Sequence, residues 1–381
     1  MKNLQEIRSD INAIDSQLVP LLVRRLEIAD EVAAIKQETN TPIYDPARER
    51  ALLNMVSDQA GPRDEVDIRT VFSTLLHLSK ARQRAFLKPQ SPLTDAIQTA
   101  IGSTGKFPTR SLVACPGAEG AYSQQAVSKM FAVPTILFFN RFDKVFEAVE
   151  RGLCPYGVLP IENTAAGSVV PVYDAMRKHK FYIVKSCRLR IDHVLLGKRG
   201  SHLEDIRCLA SQPHALAQCS EFLKKLQNCT ITPSDNTAIA AQELASGNAM
   251  DKAIIASREC ALLYDLDILA DNINDTPMNY TRFICISRKM EIYEDAQKLS
   301  IMLALPHTPG ALSSLLARFA AIGLNLTKLE SRPIPGMDFQ FLFTFDFEAS
   351  PKDPHALQLL AELSMDPQIS HFTFLGAYGE H

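Results

Sequence analysis

No apolar run among the 381 residues approaches the ~18 that a membrane-spanning helix requires. The opening residues, Met1 and Lys2 followed by a charged amphipathic pattern, do not make a signal peptide. An excess of either charge is missing: 40 Lys and Arg against 43 Asp and Glu leave a formal net charge of -3, which points to neither nucleic acid nor a membrane surface as partner. The eight cysteines contain no C-x-x-C pair. That argues against a zinc framework and for reduced thiols in a cytosolic protein. H-E-x-x-H, Walker A and G-x-G-x-x-G motifs are all missing, so the expected chemistry needs neither metal nor nucleotide cofactor. What remains is a soluble globular composition, 46% hydrophobic and 22% charged. The chain is too long for one core and should fold as two or three domains.

The pattern along the chain falls into three segments. Residues 1–88 read as all helix. Residues 89–110, with Pro89, Pro92, Gly102, Gly105 and Pro108, read as a linker. Residues 111–288 alternate short apolar runs with amphipathic ones, among them Ser111–Cys115, Thr135–Phe139, Gly157–Ile161, Phe181–Lys185 and Ala253–Ala256. That is the pattern of α/β layers. After a polar stretch, residues 299–378 read strand, helix, strand, strand, helix, strand, an order that suggests a small ferredoxin-like α+β sandwich.

In the first segment Leu4, Ile7, Ile11, Ile14, Leu18, Leu21, Ile28, Val32 and Ile35 are spaced alternately three and four apart, a heptad seam. Arg25 occupies the missing seam position. A buried guanidinium without a partner costs at least ~3 kcal/mol, so Arg25 requires a protein carboxylate or an anionic ligand. Arg8 and Lys36 lie at the edge of the same stripe, and each taken alone is equally well an ordinary solvated charge. Pro20 should kink this helix. Asp45 is a plausible N-cap before Pro46, with Arg48 and Glu49 in the first turn. Gly61-Pro62 stops that helix. The next helix presents Ile68, Phe72, Leu75, Ser79, Gln83 and Phe86 inward. Ser79 and Gln83, polar on an apolar face, either satisfy each other or the backbone, or meet a ligand.

Residues 4–87 resemble the all-helical chorismate mutases. The resemblance implies that Arg8, Arg25 and Arg48 bind the two substrate carboxylates. It implies that Lys36 and Gln83 hydrogen-bond the ether oxygen, that Glu49 meets the ring hydroxyl, and that Asp45 and Ser79 are supporting polar groups. Such a site needs no nucleophile: the [3,3] rearrangement asks for a held diaxial geometry and for donors at the breaking ether bond.

The central segment carries three polar clusters. Gly117 and Gly120 loosen a loop between an apolar run and the helical pattern Tyr122–Met130, which is an anion site or simply a tight turn. Leu159-Pro-Ile-Glu-Asn-Thr leads an apolar run into Glu162, Asn163 and Thr164, ligand groups at a strand end or a capped loop. Asn279-Tyr-Thr-Arg-Phe283 opens another run. Together these resemble prephenate dehydratase. The resemblance implies two α/β lobes like those of periplasmic binding proteins, with Thr281 as catalytic hydroxyl. It also implies that Arg282 and Phe283 are its close neighbours and that Ser123, Glu162, Asn163 and Thr164 line the cleft. The family's S-H-P-Q-A reads Ser211-Gln-Pro-His-Ala215 here, so neither Gln212 nor His214 is given a role.

The last segment resembles an ACT regulatory domain. Gly310, Ala311 and Leu312 at a helix start, with Glu330, Ser331, Arg332 and Pro333 at a strand end, match two phenylalanine-binding motifs. Taken together, the resemblances imply a bifunctional chorismate mutase/prephenate dehydratase. Its expected ligands are chorismate, prephenate and phenylalanine, and it is expected to be a cytoplasmic homodimer or higher oligomer. A two-lobed amino-acid sensor without catalysis is the competing class, and the presence of Lys36, Gln83 and Thr281 argues against it. A mutase joined to a dehydrogenase would require the dinucleotide fingerprint that is missing.

Overall fold

The computed structural model describes residues 2–39, 41, 43–86, 91–226, 229–234, 237–337 and 340–381. Three helices open the chain: α1 (Leu4–Glu38), α2 (Pro46–Phe86) and α3 (Pro92–Ser103). Helix α1 begins with a capping box between Asn3 and Glu6 and continues through Pro20 as one element. Asp45 caps α2 as its position suggested: its Oδ1 accepts the Arg48 N–H at 3.0 Å. Gly61, at φ 74° and ψ 170°, interrupts the helical path of α2, which is the stop expected at Gly61-Pro62. Of the expected inward face, Leu75, Ser79 and Gln83 are buried but Phe86 is 47% exposed.

The segment expected as a linker, 89–110, holds α3; residues 89 and 90 lie outside the described residues. Thr94, Ile97 and Ala100 recur every third position and are buried at 9%, 0% and 5% exposure. That periodicity of buried positions outweighs the glycines and prolines around it.

The central segment builds two sheets. Its elements are β1 (Arg110–Pro116), α4 (Tyr122–Met130), β2 (Val133–Phe139), α5 (Phe142–Glu150), β3 (Tyr156–Asn163), β4 (Gly167–Ser168), α6 (Val170–Met176), β5 (Tyr182–Arg190) and β6 (His193–Lys198). They continue as β7 (Cys208–Ser211), α7 (Pro213–Ala217), α8 (Ser220–Leu223), β8 (Thr230–Pro233), α9 (Thr237–Ser246), β9 (Lys252–Ser257), α10 (Arg258–Leu263), β10 (Leu266–Ala270) and β11 (Tyr280–Ser287). The first sheet has the order β2-β1-β3-β11-β5, with β4 on β3, and the second β10-β6-β9-β7-β8. All five apolar runs singled out above are strands. The chain leaves the first sheet after β5, builds the second from β6 to β10, and returns as β11 between β3 and β5. The double crossing makes two α/β lobes.

The last segment is β12 (Lys298–Ala304), α11 (Ala311–Ala321), β13 (Asn325–Pro333), β14 (Phe341–Glu348), α12 (Pro354–Met365) and β15 (Ser370–Tyr378), with sheet order β13-β14-β12-β15. The βαββαβ order is the one expected; the proposed strand start at Phe339 lies outside the described residues. By packing, the chain divides into two compact units, one of residues 1–96, 303–344 and 352–373 and one of 97–302, 345–351 and 374–381. No helix among the described residues is long and apolar enough to cross a membrane.

Candidate active sites

The first candidate site lies where α1 meets α2. Arg25 Nη1 donates to Ser79 Oγ at 2.8 Å and toward the Leu75 carbonyl at 3.4 Å. Both partners are neutral, and burial lowers the guanidinium pKa. Of the two partners the seam position allows, a protein carboxylate is not found beside Arg25 among the described residues, so an anionic ligand would complete the arrangement. Ser79 Oγ itself donates to the Leu75 carbonyl at 2.8 Å. Four residues on, Gln83 is 8% exposed and its Oε1 has no hydrogen-bond partner among the described residues. Ser79 and Gln83 therefore do not satisfy each other. Lys36 Nζ donates to the Ile43 carbonyl at 2.7 Å, which turns it toward the loop before α2. Glu49 is paired with Lys80 at 2.9 Å, a residue with no assigned role in the sequence. Arg48 and Asp45 are exposed at the start of α2. Arg8 is exposed as well and stands 17 residues before Arg25, about 25 Å along the helix at ~1.5 Å per residue. Within one chain it does not join the others.

The second candidate site is set by strand register. Thr281 pairs with Asn163, and Arg282 with Glu162, across β11 and β3. Alternation of side chains then puts Thr281 and Asn163 on one face and Arg282 and Glu162 on the other. On the first face Asn163 Nδ2 donates to Thr281 Oγ1 at 2.9 Å and to Asn279 Oδ1 at 2.7 Å. Asn163 Oδ1 accepts the N–H groups of Ala165 and Ala166, and the Gln218 amide at 3.1 Å. Gln218 Oε1 accepts from Asn279 Nδ2 at 3.0 Å and lies 3.0 Å from His193 Nε2. That orientation of the Gln218 amide assigns the imidazole proton to Nε2. His193 Nδ1 lies 3.3 Å from Tyr122 Oη, whose proton is donated to the Asp192 carbonyl at 2.6 Å. The network joins the two lobes: Tyr122, Asn163 and Thr281 belong to the first, His193 and Gln218 to the second.

Thr281 is 8% exposed. Its hydroxyl accepts from Asn163, and its own proton has no acceptor among the described residues. Thr164 is more a fastener than a cleft residue: its Oγ1 donates to the Met278 carbonyl and accepts the Tyr280 N–H, zipping the end of β3 to the start of β11. Ser123 is buried near the start of α4. In the glycine loop the Gly120 N–H is taken by Gln124 Oε1 at 2.6 Å, and a Cβ at Gly120 would meet Cys260 Sγ at 2.8 Å. A close-packed turn explains those glycines better than an anion site.

Two expected neighbours of Thr281 point elsewhere. Phe283 is buried in the apolar core of the first sheet, among Val113, Cys115, Val158 and Cys285. Arg282 is 4% exposed, with Nη2 donating to Asp346 Oδ2 at 2.6 Å and Nη1 to Tyr378 Oη at 3.3 Å. Glu162 approaches its Nε at 2.5 Å, off the N–H axis. Burial acts to lower the Arg282 pKa, but Tyr378, Asp346 and Glu162 outweigh it and raise the value above normal. For Arg282 the reason is the two-residue period of a strand, which no sequence motif displays; Phe283 lies two residues from Thr281, past a register shift between Arg282 and Phe283.

His193 and Gln218 lie outside the three polar clusters of the sequence, and Asn279 opens the third with no role assigned to it. Gln218 follows α7 as its C-cap, three residues past the Ser211–Ala215 stretch. A signal was present in the polar side chain closing a short helix after a strand end. Gln212 and His214 lie at the other end of α7.

Near the start of α11, a cavity of about 140 Å³ is lined by Leu305, Leu312, Phe341 and Phe343, together with Pro306–Thr308 and Ala311. Gly310, at φ 80°, caps the helix in the left-handed region. Ala311 and Leu312 are among its lining residues, and Glu330, Ser331, Arg332 and Pro333 are not.

Residues 7–84 match the family Chorismate mutase type II, and residues 113–291 match Prephenate dehydratase. A bifunctional chorismate mutase/prephenate dehydratase of Enterobacter agglomerans is 32% identical over 368 residues, 94% of this chain and 92% of the relative. An arogenate dehydratase/prephenate dehydratase of Arabidopsis thaliana is 39% identical over 301 residues, 76% of this chain and 77% of the relative. Among solved structures, a prephenate dehydratase from Arthrobacter aurescens in complex with L-Phe superposes with a TM-score of 0.64 at 28% identity, covering 70% of this chain and 90% of that one.

Proposed function

The chain belongs to the bifunctional chorismate mutase/prephenate dehydratase family, and from that premise we propose how its residues divide the two reactions. It is an enzyme of phenylalanine biosynthesis with both activities, rearranging chorismate to prephenate and converting prephenate to phenylpyruvate. The domains proposed are a mutase over 1–88, a dehydratase over 111–288 and an ACT domain over 299–378, with α3 between the first two.

In the mutase reading, Arg25 and Arg48 hold the carboxylates, Lys36 and Gln83 donate to the ether oxygen, and Glu49 accepts from the ring hydroxyl. Asp45 acts by capping α2 and Ser79 by holding Arg25. A buried donor aimed at a growing negative charge contributes ~3 to 4 kcal/mol. Two such donors account for much of a ~10⁶-fold acceleration, which requires ~8 kcal/mol. Arg8 belongs to this site through a second copy of the chain. The seam of α1 supports that reading, because Leu4, Ile11, Ile14 and Leu21 are each at least 50% exposed. We therefore propose a homodimer.

In the dehydratase reading, Thr281 carries the chemistry. The observation behind it is a buried hydroxyl that accepts from Asn163 and keeps its own proton for a ligand. Prephenate loses CO₂ as its ring carbon–carboxylate bond breaks. The electron pair enters the ring, and the hydroxyl departs with its bonding pair. A threonine is too weak an acid to give up its proton outright. It donates a hydrogen bond that tightens as the leaving oxygen gains charge. Glu162, Arg282 and Phe283 act one step removed, by fixing β11, and Ser123 stays a candidate lining residue. Phenylalanine is proposed to bind at paired ACT domains through Gly310–Leu312 and Glu330–Pro333, and the chain to work in the cytosol.

The deciding experiment incubates purified protein with chorismate alone and follows phenylpyruvate, with prephenate and arogenate supplied separately. Phenylpyruvate from chorismate is expected. Turnover of arogenate in preference to prephenate would assign the second site to the other substrate.

A further inference from the structure

Lys80 has no role in the reading above, yet the structure ties it to the mutase site. It is 7% exposed. Its Nζ lies 2.9 Å from Glu49 Oε1 and 3.0 Å from Oε2, bridging both oxygens of that carboxylate. Tyr44 offers a ring face 5.3 Å away, which suits a cation. Lys80 follows Ser79, the residue that holds Arg25, and precedes Gln83 by three, so Lys80 and Gln83 share one helix face. Gln83 Oε1 is buried there without a partner among the described residues.

We propose that Lys80 is a positioning residue of the mutase: through the ion pair it holds the Glu49 carboxylate where that group accepts the ring hydroxyl of chorismate. The proposal rests on the assignment of Glu49 to the ring hydroxyl. A lone carboxylate in a half-buried site swings among rotamers and loses charge by desolvation. An ammonium spanning both oxygens fixes the plane of the carboxylate and leaves an outer lone pair on each oxygen. An ion pair this far from water adds little net stability, so its value lies in where it leaves Glu49. The hydroxyl takes no part in bond making, so its contact is equal in ground and transition states. Losing that contact raises KM more than it lowers kcat.

The test is a cycle of Lys80→Met, Glu49→Gln and the double variant, with Lys80→Arg as rescue. Mutase kinetics are read on chorismate, and dehydratase turnover of supplied prephenate in the same preparations reports folding. Lys80→Met is expected to raise KM roughly 10-fold, the scale of one charge-assisted hydrogen bond. Lys80→Arg should recover most of it, and the double variant should be no worse than Glu49→Gln alone. Penalties that multiply in the double variant would show Lys80 touching substrate on its own and overturn the proposal. So would an unchanged KM for Lys80→Met beside an impaired Glu49→Gln. An unchanged KM for Glu49→Gln would remove the hydroxyl assignment itself. Should Lys80→Met lose dehydratase turnover too, Lys80→Gln carries the same comparison.

Discussion

Thr281 and His193 occupy two ends of one hydrogen-bond network and answer to different measurements. Thr281→Val keeps the shape and removes the hydroxyl. Dehydratase turnover should fall by ~10² or more, as for loss of a transition-state donor, while mutase turnover of chorismate is unchanged. The converse variant, Lys36→Ala, should cut the mutase by a similar ~10²-fold and spare the dehydratase. A variant that abolished both activities in a folded chain would contradict two separate sites. His193 is 4% exposed. Burial lowers its pKa, against the smaller opposing effects of the Gln218 hydrogen bond and Asp192. The unfolded chain therefore binds the proton more readily than the folded one. The stability this group contributes is complete above its ordinary pKa of ~6.5 and is lost as pH falls through the lowered folded value. Denaturant midpoints from pH 7.5 down to 5 should fall more steeply for the natural chain than for His193→Asn. Parallel curves would mean that another group carries the acid sensitivity.

At the scale of elements, β11 and the cap of α11 are the places where a single change should be felt most. Arg282 on β11 is buried against Asp346 on β14, 2.6 Å away, and against Tyr378 on β15. Asp346→Ala would leave a guanidinium in the core with its main acidic partner gone, a loss of about 3–5 kcal/mol. The check is equilibrium unfolding, and Asp346→Ala with Arg282→Met together should recover part of the loss. At Gly310 the argument differs from crowding: a Cβ there would meet nothing within 4 Å. The obstacle is φ 80°, where a β-branched residue is strained by ~1–3 kcal/mol. Gly310→Val should shift the cap and leave a dehydratase that phenylalanine inhibits less. Rate against phenylalanine concentration decides it, and an undiminished inhibition curve would place the effector elsewhere.

For the whole molecule, α1 is the feature one chain leaves unfinished. Its 35 residues extend about 50 Å at ~1.5 Å per residue, longer than the ~30 Å of a compact domain this size. Of its residues only Ala29 and Ala33 are buried. Ile11→Glu with Ile14→Glu should yield a monomer by light scattering, with mutase activity lost and dehydratase activity on supplied prephenate kept. A monomer with full mutase activity would show that Arg8 is dispensable.

Much of this was legible in order along the chain because the signals are local. The heptad seam of α1, the cap at Asp45, the stop at Gly61, the apolar strands and the βαββαβ tail each depend on residues within a turn or two of one another. So did the charged stripe that marked Arg25 as a residue in need of an anion. Helix α3 was obscured by the glycines and prolines around it, although its three-residue periodicity was there. Tertiary structure decided what depends on register and crossover. Thr281 faces Asn163 while its neighbour Arg282 turns away to Asp346, because successive residues of a strand point to opposite faces. His193 and Gln218 join Thr281 only because the chain leaves one sheet, builds another and returns. Lys80 reaches Glu49 across 31 residues because the helical path breaks at Gly61 and brings the two ends of α2 together. A spacing rule describes one element, whereas these meetings follow from how elements pack.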